Sequence, residues 1–67
     1  MTIWLSELLM QHREVETFKG LQRLVRQKAQ EGAMQLQMDV KPPFEDTPDN
    51  WEMQLENAFN LIPGFGD

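Results

Sequence analysis

From Thr2 to Glu31 the apolar residues return at helical spacing. At 100° per residue, Trp4, Leu8, Val15, Phe18, Val25 and Ala29 fall on one stripe, with Ile3 and Leu21 at its edge. The pattern predicts an amphipathic helix over about 2–31, begun by Thr2 or by Ser6 with Glu7 behind it. Gln11 and Gln22 interrupt the stripe, and a buried amide there needs hydrogen-bond partners. Gly20 costs about 1 kcal/mol in a helix interior, so a bend or break near it is expected to be cheap.

The first turns depart from this pattern. Six of the eight residues from Ile3 to Met10 are large and apolar, and they cover nearly the whole helix circumference. A helix apolar all round must be hidden on every side, and a short chain offers little material for that. Leu5 and Leu9, on the flank opposite the main stripe, are therefore expected to meet a partner. Ile3, Trp4 and Leu8 belong to the same candidate partner-binding surface.

Gly32 stands where a C′ glycine would end the helix. Beyond it the pattern changes period, and two readings compete. In one, residues 34–40 form a strand that places Leu36, Met38 and Val40 on one face and Gln35, Gln37 and Asp39 on the other. In the other, Ala33, Leu36 and Val40 continue the helical stripe, and only Met38 falls off it. The glycine and the tight alternation favour the strand. Pro42 and Pro43 then mark a connector over 41–50. A second helix follows over about 48–62, capped by Thr47 or Asp46. Its apolar stripe is Trp51, Leu55, Ala58, Phe59 and Ile62. Residues 63–67 read as a tail whose Phe65 folds back.

Size sharpens the consequence of a lone strand. The chain has 67 residues, no cysteine and one histidine. A fold this small buries only ~60% of its unfolded surface. Neither disulfides nor a thiolate or multi-histidine metal site is available to staple it. Association is the remaining support. The strand is expected to pair with its symmetry mate across a twofold axis or to extend a partner's sheet. The expected architecture is thus mostly α: a long N-terminal helix, a short strand and a C-terminal helix, completed by dimerisation. The alternative is an all-α helical hairpin.

Charge narrows the partners. The net charge is −5, and it is unevenly spread. Residues 1–34 hold four acids and five bases, while residues 35–67 hold seven acids and only Lys41 against them. An acidic chain is repelled by phosphate backbones, which disfavours nucleic acid unless the run Lys19, Arg23, Arg26, Lys28 acts alone. That run also reads as a solvated helix face with cations suited to the helix C-terminus. No uncharged apolar segment is long enough to span a bilayer, and no basic segment precedes the N-terminal apolar stretch as in a secretory leader. A cytoplasmic location is expected.

Candidate chemistry is sparse. His12 and Glu16 stand one helical turn apart, but two ligands are too few for a structural metal. The acids Glu45, Asp46, Asp49, Glu52 and Glu56 lack the spacing and central glycine of a calcium loop. The glycines form no phosphate-binding pattern, and no serine or threonine has a base beside it. These absences argue against an enzyme, a cofactor, a metal or a small-molecule substrate. The expected function is a non-enzymatic protein-interaction module, an adaptor, assembly factor or inhibitor that binds a larger protein, itself, or both. Its partner-binding residues would be Ile3, Trp4, Leu5, Leu8, Leu9, Leu36, Met38 and Val40. The alternative is a peripheral membrane protein that uses the 3–10 helix with the basic run 19–28. A nucleic-acid binder is the third reading.

Overall fold

A computed structural model, described here over residues 2–60, divides the segment expected to be one long helix into three pieces. Thr2–Trp4 is a strand (β1), Leu5–Gln11 a helix (α1) and Phe18–Gln30 a second helix (α2). The strand Gln35–Gln37 (β2) and the helix Trp51–Phe59 (α3) complete the described elements. About half of the described residues are helical, so the mostly α reading stands. The single long helix does not.

Thr2, Ile3 and Trp4 are β-branched or aromatic, types that suit a pleated, half-buried surface. They pair in parallel with β2 in the register Thr2↔Gln35, Ile3↔Leu36, Trp4↔Gln37. The strand proposed over 34–40 is therefore present, shortened to three residues, and its partner is in the same chain. Neither a symmetry mate nor a foreign sheet is needed to pair it. Ile3 faces the core, while Thr2 and Trp4 on one strand and Gln35 and Gln37 on the other lie exposed. The Thr2 hydroxyl donates to Gln35 Oε1 at 3.1 Å across that outer face.

Neither Thr2 nor Ser6 caps a helix as expected. The N-cap of α1 is Trp4, whose own side chain makes no capping bond. The backbone N–H of Ser6 donates instead to Asp39 Oδ1 at 3.1 Å, from the far side of β2. Helix α1 stops at Gln11, and residues 12–17 turn the chain before Thr17 caps α2, its Oγ1 accepting from the Gly20 N–H at 3.1 Å. Gly20 thus lies in the first turn of α2 rather than at the break. A Cβ there would stand 3.3 Å from Thr17 Oγ1 and 3.4 Å from Val15 Cγ1, tight contacts that would press on the cap. The break has a packing cause. In a continuous helix Leu5 points away from the main stripe, whereas the turn at 12–17 swings α1 so that Leu5 and Leu8 join Phe18, Leu21, Leu24 and Val25 in one core.

Helix α2 ends as Gly32 foretells. Gly32 has φ +106°, its N–H donates to Ala29 O, and the Ala33 N–H donates to Lys28 O, both at 3.1 Å. These are the paired bonds of a Schellman turn, and they redirect the chain into β2. The first N–H of α2, that of Phe18, donates to Asp46 Oδ1 at 2.8 Å. Asp46 therefore caps α2 across the molecule rather than its own following helix. Asn50 precedes α3 without a side-chain cap, and α3 begins at Trp51 instead of about 48.

Helix α3 packs on α2 with Leu55 fully buried and Ala58 nearly so. Trp51 and Phe59, expected inside, are half-buried against this core. Ile62 and the tail 63–67 lie outside the described residues. Gln22, foreseen as a polar residue in an apolar stripe, is 7% exposed. Its Nε2 donates to Gln54 Oε1 at 3.0 Å, and Gln54 Nε2 donates onward to Asn50 Oδ1 at 2.8 Å. The buried amide is satisfied, and its bond ties α2 to α3 in one register.

Two substitutions on α3 separate core from surface. Leu55→Ala should lower the unfolding free energy by about 2–5 kcal/mol, enough to leave much of so small a domain unfolded. Met53→Ala, at a side chain 61% exposed, should change it by less than about 0.5 kcal/mol. Urea denaturation followed by circular dichroism measures both.

Candidate interaction site

The residues proposed to bind a partner divide by burial. Ile3, Leu5 and Leu8 are buried in the chain's own core, and Leu5 has no exposed surface at all. Leu9, Leu36 and Met38 are half-buried at its margin. Trp4, 45% exposed, and Val40, 38% exposed, face outward. The apolar first turns are therefore hidden in part from within: the break at 12–17 lets α1 turn Leu5 and Leu8 inward, while Trp4 and Met10 stay exposed.

Two hollows flank the small sheet. The larger, about 350 Å³, is lined by Gln35, Leu36, Gln37 and Met38 and by Glu56, Phe59 and Asn60 at the end of α3. Alternate side chains of a strand point to opposite faces. Four consecutive residues can share one hollow only where it runs along the strand's edge. The edge of β2 away from β1 therefore opens into this groove, with Phe59 opposite. Among the described residues β2 pairs with β1 alone, which leaves its other edge, on the side of this groove, without a strand partner among them. Among the described residues Glu56 is the one charged side chain in its lining, and no Lys or Arg lines it.

The smaller hollow, about 190 Å³, lies along β1 and is bounded by Trp4, Glu7, Gln11 and Lys28. The Lys28 ammonium there stands 3.6 Å from Glu31 Oε1. Trp4 thus shares a pocket with a cation already engaged by a carboxylate.

Asp39 lies just beyond the groove and is set electrostatically by α1. Hydrogen bonding from the Ser6 side chain holds its carboxyl below the usual carboxylate value, against the opposing effect of desolvation. Bonds from the Ser6 backbone and from its own backbone act in the same lowering direction. His12, expected to stand one turn from Glu16, has left the helix. Its Nδ1 is 3.5 Å from Glu14 Oε1 instead. Among the described residues no group of three His, Cys, Asp or Glu is placed to hold a metal ion. No described helix is long and apolar enough to cross a membrane.

The sequence reading did not place Glu56 or Phe59 at the candidate interaction surface, taking Phe59 as part of the α3 core stripe. The available signal was position, because both fall in the last two turns of α3, beyond the fully buried Leu55. No protein-family description matches the chain, and neither the curated proteins nor the solved structures contain a match to it.

The depressed pKa of Asp39 has a pH consequence. A carboxyl whose folded pKa lies below its unfolded one adds stability above the unfolded value and loses it as pH falls through the folded value. Asp39→Asn is therefore expected to flatten the acid limb of stability against pH and to leave its shape near neutrality unchanged. Thermal melts from pH 7 down to about pH 2 check this, and an acid limb identical to the parent's would count against it.

Proposed function

We propose that this chain works by binding another polypeptide and performs no chemistry of its own, as an adaptor, assembly or inhibitory module does. The observation that carries the reading is that, among the described residues, β2 is paired along one edge only. A strand edge is a row of unpaired donors and acceptors that folded proteins usually cover, charge or twist away. Here the edge is short and lies beside a groove whose lining includes Phe59 together with Glu56 and Asn60. A parallel sheet is also seldom left at two strands with one face in water. Extension by a further strand gives both features a use, whether that strand belongs to another protein or to a second copy of this chain.

The membrane-surface alternative is less favoured, although Trp4 and Met10 of its segment are exposed. Ile3, Leu5 and Leu8, which would have entered the lipid boundary, are buried in the core. Recruitment of nucleic acid by Lys19 and Arg23, both exposed on α2, is opposed by the acidic second half of the chain.

Panning a displayed random-peptide library against the immobilised full chain tests the reading. Peptides should be enriched over background and should bind Met38→Glu about tenfold or more weakly, equivalent to 1.4 kcal/mol or more, because the new charge enters the groove. Circular dichroism of the variant establishes that it is folded. If nothing is enriched, the chain is no peptide-binding module.

A further inference from the structure

Resting on the reading of the chain as a binding module, we propose that the groove between β2 and α3 takes an extended strand of a partner protein. That strand would carry Lys or Arg in alternation with apolar residues and add to the free edge of β2. The backbone argument comes from the groove lining. Gln35, Leu36, Gln37 and Met38 meet it in sequence, so what the groove presents is a strand edge and not a sheet face. An edge is satisfied by another extended backbone, whereas a docked helix keeps its own N–H and C=O groups paired and leaves those of β2 unmet.

The groove also has room for such an occupant. At about 3.4 Å per residue, a strand alongside Gln35–Met38 needs only about four residues in register, which suits a hollow of about 350 Å³. One row of its side chains would stand beside Leu36 and Met38 as cross-strand neighbours and reach toward Phe59, which calls for apolar residues at alternate positions.

Charge selects the other row. Among the described residues Glu56 is the only charged one lining the groove, and Glu52 lies one turn before it on α3. With no base in the lining, a strand bearing Lys or Arg is attracted and an acidic one repelled. The same sign disfavours a second copy of this chain, which would bring its own Glu56 to the interface.

The test uses the full chain with synthetic octapeptides alternating Lys and Val, or Glu and Val, titrated calorimetrically at low and high salt. Three results are expected. The basic peptide binds and the acidic one does not. Affinity falls as salt rises, and falls less steeply for Glu56→Gln. The amide protons of residues 35–38 that are open in the free chain gain exchange protection on binding. N-methylation of alternate peptide residues supplies the signature of strand pairing: one frame should lose binding at least about tenfold, and the other should keep it.

Several results would overturn the proposal. Equal binding of the acidic peptide removes the charge selection, and equal tolerance of both methylation frames removes the added strand. Protection at 35–38 that grows with protein concentration alongside a dimer mass assigns the edge to a second copy. Protection present at every concentration without peptide means the chain covers the edge itself. If the basic octapeptide fails while library peptides still bind in a Met38-dependent way, this inference falls and the broader function stands.

Discussion

Parallel pairing of Thr2–Trp4 with Gln35–Gln37 is the constraint from which the remaining architecture follows. Antiparallel strands can be joined by a tight turn, but parallel ones need a crossover that carries the chain back to its starting end. One helix from 2 to 31 would be about 45 Å long at 1.5 Å per residue, and would leave its ends far apart. The molecule's longest dimension is 28 Å. The break at 12–17 and the Schellman turn at Gly32 are the two reversals that solve this geometry. Both have local causes, in the Thr17 cap and in the positive φ that only glycine adopts without strain. Once β1 and β2 are in register, Ile3, Leu5 and Leu8 lie on the inner side of the fold against α2, and α3 closes the other side.

The uneven charge of the chain has an internal counterpart. Two acids of the second half reach across to helix starts in the first: Asp39 to the Ser6 N–H of α1, and Asp46 to the Phe18 N–H of α2. Carboxylates suit these ends because unpaired N–H groups and the helix dipole both favour negative charge there. Part of what looks in composition like surplus acidity is therefore structural. Among the other described acids, Glu52 and Glu56 are exposed, and Glu56 gives the α3 wall of the β2 groove its sign.

Local signals in the sequence were legible and long-range ones were not. Gly32 marks the helix end, the alternation around Leu36 marks a strand, and the Trp51–Leu55–Ala58 stripe marks the inward side of α3, because each depends on a few neighbouring residues. The spacing of Trp4, Leu8, Val15 and Phe18 misled, since a helical stripe reads the same whether the helix is continuous or broken and swung back. The strand character of Thr2–Trp4 was masked by its position at the head of that stripe. Its partner stands 33 residues away, and no periodicity encodes a pairing at that distance. The capping roles of Asp39 and Asp46 were hidden for the same reason, as sequence rules seek a cap beside its helix. The surface proposed from the sequence shared that fate: Leu5 seemed outward only while the helix was taken as unbroken. Leu36 and Met38 do border the groove, because their strand was recognised.

The register of β1 with β2 also sets an order of events during synthesis. Thr2–Trp4 leaves the ribosome well before Gln35–Gln37, and at about 5–20 residues per second the gap lasts about 2–7 seconds. During that time α2 has every local instruction it needs, including its Thr17 cap, whereas β1 has no strand to join. The non-local pairing is thus the late step, as contact-order arguments expect of such a topology. Until it closes, Ile3, Leu5 and Leu8 lack the cover that the finished core gives them. Any chaperone that attends this stretch would find those residues open in that interval, and a ribosome pausing before Gln35 would prolong the encounter.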